Sequence, residues 1–297
     1  MRIGFVGIGT MGLPIAKHIL NAKNDMVVFD AFKQASQPLL DEGAELAKTP
    51  GDVASKVEVV FLSLPGPAEI KQVVLGSDGI LANAAPGTIV IDLSTNSVEG
   101  ICHIADRCAQ EHVIFVDAPV SGGVVGAQKG TLSVMVGSDA DVFQKIQPLL
   151  DTFSETAFHV GLRGSGALAK LVNNQIFLCT SVLIQEGLVM AAKAGMNSND
   201  LLKIVNASSG GLYTRNAGFV LSRDFDNAMF KLNIAHKDVA VALESAAALG
   251  VDMPTTAAAL GVYQDALDMG LADKNFSSTL QALEAKAEVE VAALETR

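Results

Sequence analysis

Arg2-Ile3-Gly4-Phe5-Val6-Gly7-Ile8-Gly9-Thr10-Met11-Gly12 opens the chain, and a helical pattern follows from Leu13 to Leu20. Arg2 to Val6 reads as a short apolar strand, so the glycines of Gly7-x-Gly9-x-x-Gly12 fall between a strand and a helix. In that context each glycine has a task. Gly7 makes the tight turn, Gly9 lets the backbone approach a pyrophosphate, and Gly12 lets helix and strand pack closely, with Ile8, Thr10 and Met11 completing the loop. Phosphates would rest at the helix N-terminus, where unpaired N–H groups and the helix dipole favour anions. A second strand, Met26 to Phe29, ends in Asp30, eighteen residues beyond Gly12. A carboxylate there would hold a ribose 2′-hydroxyl and repel a 2′-phosphate, which favours NAD over NADP. No arginine follows to reverse the preference, although Lys33 lies close enough to weaken it. The other reading of Asp30 is an ordinary turn residue after a strand.

Outward from this stretch the alternation of strand and helix continues. Val57–Leu64, Thr88–Asp92 and Val113–Val116 read as strands, running into Pro65-Gly66-Pro67, Leu93-Ser94-Thr95-Asn96 and Asp117-Ala118-Pro119-Val120-Ser121-Gly122-Gly123. Such alternation predicts a mostly parallel, doubly wound sheet with helices on both faces. Ligands of these sheets bind beyond the carboxyl ends of the strands. Gly7, Pro65, Thr95 and Ser121 all follow strand ends and so should share one rim. Ser121-Gly122-Gly123 can offer a hydroxyl and two unshielded N–H groups to a carboxylate, or can simply be a turn of small residues.

From Ala167 to about Ala194 there is no proline and a single glycine, so one long helix is expected. Lys170 and Asn174 lie four apart on one face, and Ser181 and Gln185 continue that stripe. A lysine on an apolar helix either reaches solvent along a seam or is used by something. Asn197-Ser198-Asn199-Asp200 caps a further helix starting at Leu201. Asn233–Leu249, Met253–Met269 and Ser277–Leu294 read as helices, and no strand is evident beyond Val160. The expected fold is therefore α/β. It comprises an N-terminal Rossmann-type dinucleotide-binding domain over 1–162, a long interdomain helix over 163–194, and an all-α domain over 195–297.

Composition narrows the possible partners. At 297 residues the chain suits two domains, and its 49% hydrophobic content excludes disorder. A formal net charge of −11 argues against nucleic acid and anionic membranes, since no basic patch could neutralise phosphates. The apolar run Ile176–Ile184 falls short of the ~20 residues of a membrane span. Cys102, Cys108 and Cys179 form no CxxC pair, and Met1-Arg2 leads straight into the first strand without a signal-peptide pattern. A cytoplasmic location is expected. His18, His103, His112, His159 and His236 lack metal-ligand spacing, and no metal is expected.

With these motifs in order, the chain resembles the β-hydroxyacid dehydrogenase family, and the likeness covers nearly its whole length. The family's dinucleotide motif resembles Gly7–Gly12, and its D-x-P-V-S-G-G resembles Asp117–Gly123. Its G-x-x-x-K-x-x-x-N is present as Gly166, Lys170 and Asn174, and its K-D-L as Lys237-Asp238-Val239. The resemblance implies roles. Lys170 would be general acid when an aldehyde is reduced and base when the alcohol is oxidised. Asn174 would orient the lysine or the reacting oxygen and contact the substrate. Ser121, Gly122 and Gly123 would hold the substrate carboxylate. Leu64, Pro65 and Thr95 would contact the cofactor near its nicotinamide, and Lys237 would close over cofactor or substrate. Phe230 fits either an apolar wall or core packing.

The activity so implied is NAD-dependent interconversion of a short β-hydroxy acid and its semialdehyde, 3-hydroxyisobutyrate-like or tartronate semialdehyde/glycerate-like. Gly123–Gln128 and Ser208–Tyr213 are placed by analogy near the substrate's far end. The small carboxylate substrate is the one molecular partner expected besides the cofactor and further copies of the chain, as homodimer or homotetramer. Alternatives are a dehydrogenase of a related hydroxy acid or sulfonate, an imine reductase-like enzyme, and a non-catalytic NAD-binding sensor.

Overall fold

The computed structural model describes residues 1–211 and 217–293. The chain divides into two compact units, Met1–Leu171 and Val172–Arg297.

The first unit is built on one nine-stranded sheet. Its strands are β1 (Arg2–Val6), β2 (Asp25–Phe29), β3 (Glu45–Leu46), β4 (Val59–Leu62), β5 (Ile89–Asp92), β6 (Ile114–Asp117), β7 (Val120–Ser121), β8 (Leu132–Gly137) and β9 (Ser154–Gly161). The first six are parallel in the order β3-β2-β1-β4-β5-β6. The helices between and after them are α1 (Gly12–Asn21), α2 (Gln37–Leu40), α3 (Pro50–Ala54), α4 (Pro67–Leu75), α5 (Val98–Gln110), α6 (Gly123–Lys129) and α7 (Ala140–Leu150).

Alternate residues of the central strands feed two separate cores, as a two-residue side-chain period requires. Ile3, Phe5, Val59 and Phe61 belong to one cluster with Ile15 and Ile19 of α1. Val6, Val60 and Leu62 belong to the other with Ile70 of α4 and Ile104 of α5. A strand covered on both faces reads as a continuous apolar run, which is why the sequence betrays these strands clearly. Each buried Val, Leu, Ile or Phe contributes about 1.5–3 kcal/mol to holding the layers together.

The far side of the sheet was not anticipated. β8 pairs antiparallel with β6 and β7, and β9 then adds parallel to β8. β9 is an edge strand with most side chains exposed, so Ser154–Gly161 carries no clean alternation to read.

α8 (Ser165–Lys193) begins in the first unit and continues into the second. By length and composition it is long and apolar enough to cross a bilayer, more so than the run Ile176–Ile184 suggests. In the second unit its buried Ser181 and Gln185 pair at 3.1 Å, and the Thr279 hydroxyl donates to Gln185 at 2.7 Å. These bonds satisfy a polar stripe inside a helical bundle. The remaining helices are α9 (Ser198–Asn206), α10 (Ala217–Leu221), α11 (Leu232–Ala248), α12 (Pro254–Asp268) and, after a 3₁₀ turn at Phe276–Ser278, α13 (Thr279–Ala287). Asn197 caps α9 by accepting the N–H groups of Asn199 and Asp200.

The last helix is shorter than expected. It stops at Ala287 because Glu288 turns left-handed, φ 52°. Val291 is then buried, donating its N–H to Glu284 at 2.7 Å and accepting Arg223 at 2.9 Å. Leu294, where that helix was expected to end, lies outside the described residues.

Candidate active site

The glycine loop follows β1 directly. Gly7 has φ +95°, and its N–H donates to Phe29 on β2 at 2.9 Å. A Cβ at Gly7 would lie 2.2 Å from the Ser63 carbonyl, and one at Gly12 would lie 1.9 Å from the Gly7 carbonyl. Gly9 differs, because nothing stands within 4 Å of its Cβ position. Gly7 and Gly12 are thus glycines for packing, and Gly9 leaves the open approach a pyrophosphate needs. Ile8 is a core residue, Thr10 is exposed and Met11 is half-buried.

Asp30 is engaged on both oxygens. Oδ2 accepts the Ile8 N–H at 2.6 Å, and Oδ1 accepts the Phe32 N–H at 2.7 Å. The carboxylate therefore stitches the glycine loop to the end of β2. Each oxygen keeps a second lone pair, the acceptor a ribose hydroxyl requires. On an open Gly9 and an acceptor at Asp30, the loop fits a dinucleotide.

Further along the same strand ends, the Leu64 N–H donates to Ser94 Oγ at 2.9 Å, and the Ser94 N–H donates to Asp92 Oδ1 at 3.0 Å. This ties Leu64-Pro65 to Ser94-Thr95, with Pro65 exposed and Thr95 half-buried. Ser94 was not singled out from sequence, since nothing local marks a serine that braces a neighbouring loop. Ser121 is half-buried in β7, opposite Ser133 of β8. Gly122 and Gly123 are exposed with φ of 130° and 63°, and the Cβ position of Gly123 is open. Lys170 is half-buried on α8, between buried Ala167 and Leu171.

In the second unit, Asn174 is 6% exposed and donates Nδ2–H to Asp238 Oδ2 at 2.7 Å. It also accepts from Asn173 at 3.1 Å. Lys237 Nζ stands 2.8 Å from Asp238 Oδ1. The family motifs single out Lys237 and Asn174, and the carboxylate joining them, Asp238, stands in the same Lys-Asp-Val motif. Phe230 packs against Phe276, ring centroids 5.8 Å apart, as a core residue does. Ser208 is exposed and donates to the Ile204 carbonyl. Leu212 and Tyr213, expected near the substrate's far end, lie outside the described residues. Among the described residues no group of three or more His, Cys, Asp or Glu is placed to hold a metal ion.

Comparison with known proteins agrees with this layout. A family model described as the NAD binding domain of 6-phosphogluconate dehydrogenase matches residues 2–161. A second, the NAD-binding domain of NADP-dependent 3-hydroxyisobutyrate dehydrogenase, matches residues 164–283. The chain is 33% identical over 287 residues to a 2-(hydroxymethyl)glutarate dehydrogenase of Eubacterium barkeri, covering 96% of this chain and 95% of that protein. It is 33% identical over 285 residues to an NAD-dependent L-serine dehydrogenase of Pseudomonas aeruginosa, covering 93% and 95%. Among solved structures, a Mycobacterium tuberculosis 3-hydroxyisobutyrate dehydrogenase with L-serine superposes with a TM-score of 0.86 at 27% identity, covering 95% and 98%. A glycine-loop sheet followed by a long helix and a helical unit, with these matches, defines an NAD(P)-dependent dehydrogenase. More narrowly, the chain belongs to the β-hydroxyacid dehydrogenase family.

Proposed function

We propose that the protein interconverts a short β-hydroxy acid and its semialdehyde, using NAD in preference to NADP. The observation that carries this reading is Lys170 on α8, one turn before an Asn174 whose amide is buried and held by Asp238. When bound, the nicotinamide supplies or accepts the hydride. The residues then divide the remaining work. Lys170 gives a proton to the carbonyl oxygen during reduction and takes it from the hydroxyl during oxidation. Asn174, its rotamer set by Asp238, keeps its second N–H for orienting the reacting oxygen. Ser121 and the N–H groups of Gly122 and Gly123 hold the substrate carboxylate. Leu64, Pro65 and Thr95 support the nicotinamide end of the cofactor, and Lys237 closes over cofactor or substrate.

The substrates named for the three relatives have one chemistry in common. 2-(Hydroxymethyl)glutarate, L-serine and 3-hydroxyisobutyrate each carry a primary hydroxyl on the carbon β to a carboxylate. They differ in the group on the α carbon. The shared half is what Lys170 and Ser121-Gly122-Gly123 address, so this class is the substrate proposed here, with 3-hydroxyisobutyrate or glycerate as the nearest forms. The acidic chain and its three free thiols fit a cytoplasmic enzyme, and a homodimer or homotetramer is proposed as its working form.

The test is NAD+ and NADP+ reduction against a panel of 3-hydroxyisobutyrate, L-serine, glycerate and 2-(hydroxymethyl)glutarate. At least one is expected to turn over with NAD+, and Lys170→Ala is expected to bind NADH normally while losing activity about 100-fold or more. Full turnover by Lys170→Ala would overturn the mechanism, and no turnover of any panel member would overturn the substrate class.

A further inference from the structure

Asp117 ends β6 and is 1% exposed, yet no role in the reaction falls to it so far. Its carboxylate reaches across the sheet edge to the start of α8. Oδ1 accepts the Gly164 N–H and Oδ2 accepts the Ala167 N–H, both at 2.8 Å. The first N–H groups of a helix have no partner within the helix. Here they are satisfied by a side chain from a distant strand, and the charge is the sign a helix N-terminus favours.

Two glycines make room for this contact. A Cβ at Gly137, register partner of Asp117, would sit 2.6 Å and 2.7 Å from the carboxylate oxygens. A Cβ at Gly166 would sit 2.3 Å from the Met135 carbonyl and 2.8 Å from that of Asp117. The first turn of α8 is therefore pressed directly onto the ends of β6 and β8. Lys170 follows Ala167 by three residues on that helix. In the other direction, Asp117 leads through Ala118 and Pro119 into Val120-Ser121, which β8 holds at Val134 and Ser133.

We propose that Asp117 is a positioning residue, whose buried carboxylate locks the height and rotation of the first turn of α8 and so sets Lys170 against the Ser121-Gly122-Gly123 segment. The inference rests on Lys170 being the proton donor. Asp117 is buried against the helix it caps and acts through it. Asn in its place keeps the shape but presents an NH2 to one of the two N–H donors, which frees that side of the turn.

The experiment compares Asp117→Asn and Lys170→Ala with the native enzyme. Asp117→Asn is expected to bind NADH within about twofold of native and to lose kcat about 100-fold, the scale of a ~1 Å misplacement. Its pH profile of kcat should be displaced, and the Gly164 and Ala167 amides should exchange hydrogen at least about tenfold faster. A folded Asp117→Asn protein with native kcat and native pH profile overturns the proposal, because a purely structural cap lowers stability and leaves the folded fraction's chemistry alone. If Asp117→Asn does not fold, Gly137→Ala displaces the same carboxylate without changing it. Lowered kcat with intact NADH binding then supports the proposal, and unchanged kcat overturns it. Lys170→Ala separates the two levels. If it keeps turnover, the proton-donor reading fails; if it is inactive while Asp117→Asn is native-like, only the positioning role fails.

Discussion

Asn174 and Asp238 meet through one hydrogen bond of 2.7 Å, although 64 positions separate them in the chain. Both side chains are buried, and the other oxygen of the same carboxylate faces Lys237 Nζ at 2.8 Å. Asp238 is thus the hub of a three-residue polar cluster. Replacing it by Asn removes the charge that pairs Lys237 and turns a donor toward Asn174. A stability loss of about 1–3 kcal/mol is expected from urea unfolding, together with a kcat at least about tenfold lower. In a double-mutant cycle, Asn174→Ala and Asp238→Ala should couple by about 0.5–3 kcal/mol. Strict additivity would mean that Asp238 does not orient Asn174.

The glycine loop separates two kinds of substitution. Gly12→Ala would place a methyl 1.9 Å from a backbone carbonyl, which cannot move without opening the turn. It should destabilise the protein by about 3 kcal/mol or more. Gly9→Ala meets nothing within 4 Å and should leave the melting temperature unchanged while weakening NADH binding at least about tenfold. Equal losses of stability in the two variants would contradict this division.

Asp30 accepts two backbone N–H groups and has acceptor capacity left over. Asp30→Ala should lower the ratio of kcat/KM with NAD+ to that with NADP+ by at least about tenfold, chiefly through loss of NAD+ affinity. Because Ile8 loses its partner as well, some affinity for both cofactors should go. An unaltered ratio would leave Asp30 as a turn residue with no part in cofactor choice.

Burial pushes the Asp117 carboxyl up to about 6, against the opposing pull of the Gly164 and Ala167 N–H groups. The folded state then holds this proton more tightly than the unfolded chain, where the carboxyl titrates near its ordinary value of 3.8. With the folded value the higher one, the group's contribution to stability grows as pH falls through 6 and is complete below about 4, reaching ~3 kcal/mol. Asn cannot titrate. The stability difference between native protein and Asp117→Asn should therefore shift in favour of the native form as pH drops from 8 to 4.5. Denaturant midpoints at several pH values measure this, and a constant difference would refute it.

Much of the first unit was legible in the chain. Strands covered on both faces announce themselves as unbroken apolar runs, and Gly7, Gly9 and Gly12 follow the first of them without a spacer, so β1, β2, β4, β5, β6 and the loop could be read, whereas β3, two exposed residues, could not. The long helix and the cap at Asn197 were equally local, since helix propensity and Asx capping act within one or two turns. Lys170 and Asn174 stand out as a polar pair four apart on one helix face, and Lys237 is singled out only by the family resemblance.

What tertiary structure alone decided are the contacts whose partners lie far along the chain. β9 is an exposed edge strand and has no period to display. Asp117 caps a helix 47 residues away, and Ser94 braces a loop 30 residues away. Glu284, inside the last helix, is bonded to Arg223, 61 residues away, and holds the chain that follows through the Val291 N–H. Local sequence determines which elements form, because backbone preference and side-chain period are properties of neighbours. Which carboxylate satisfies which buried N–H is settled only when the elements pack, because that pairing depends on desolvation and distance between segments that no local pattern encodes.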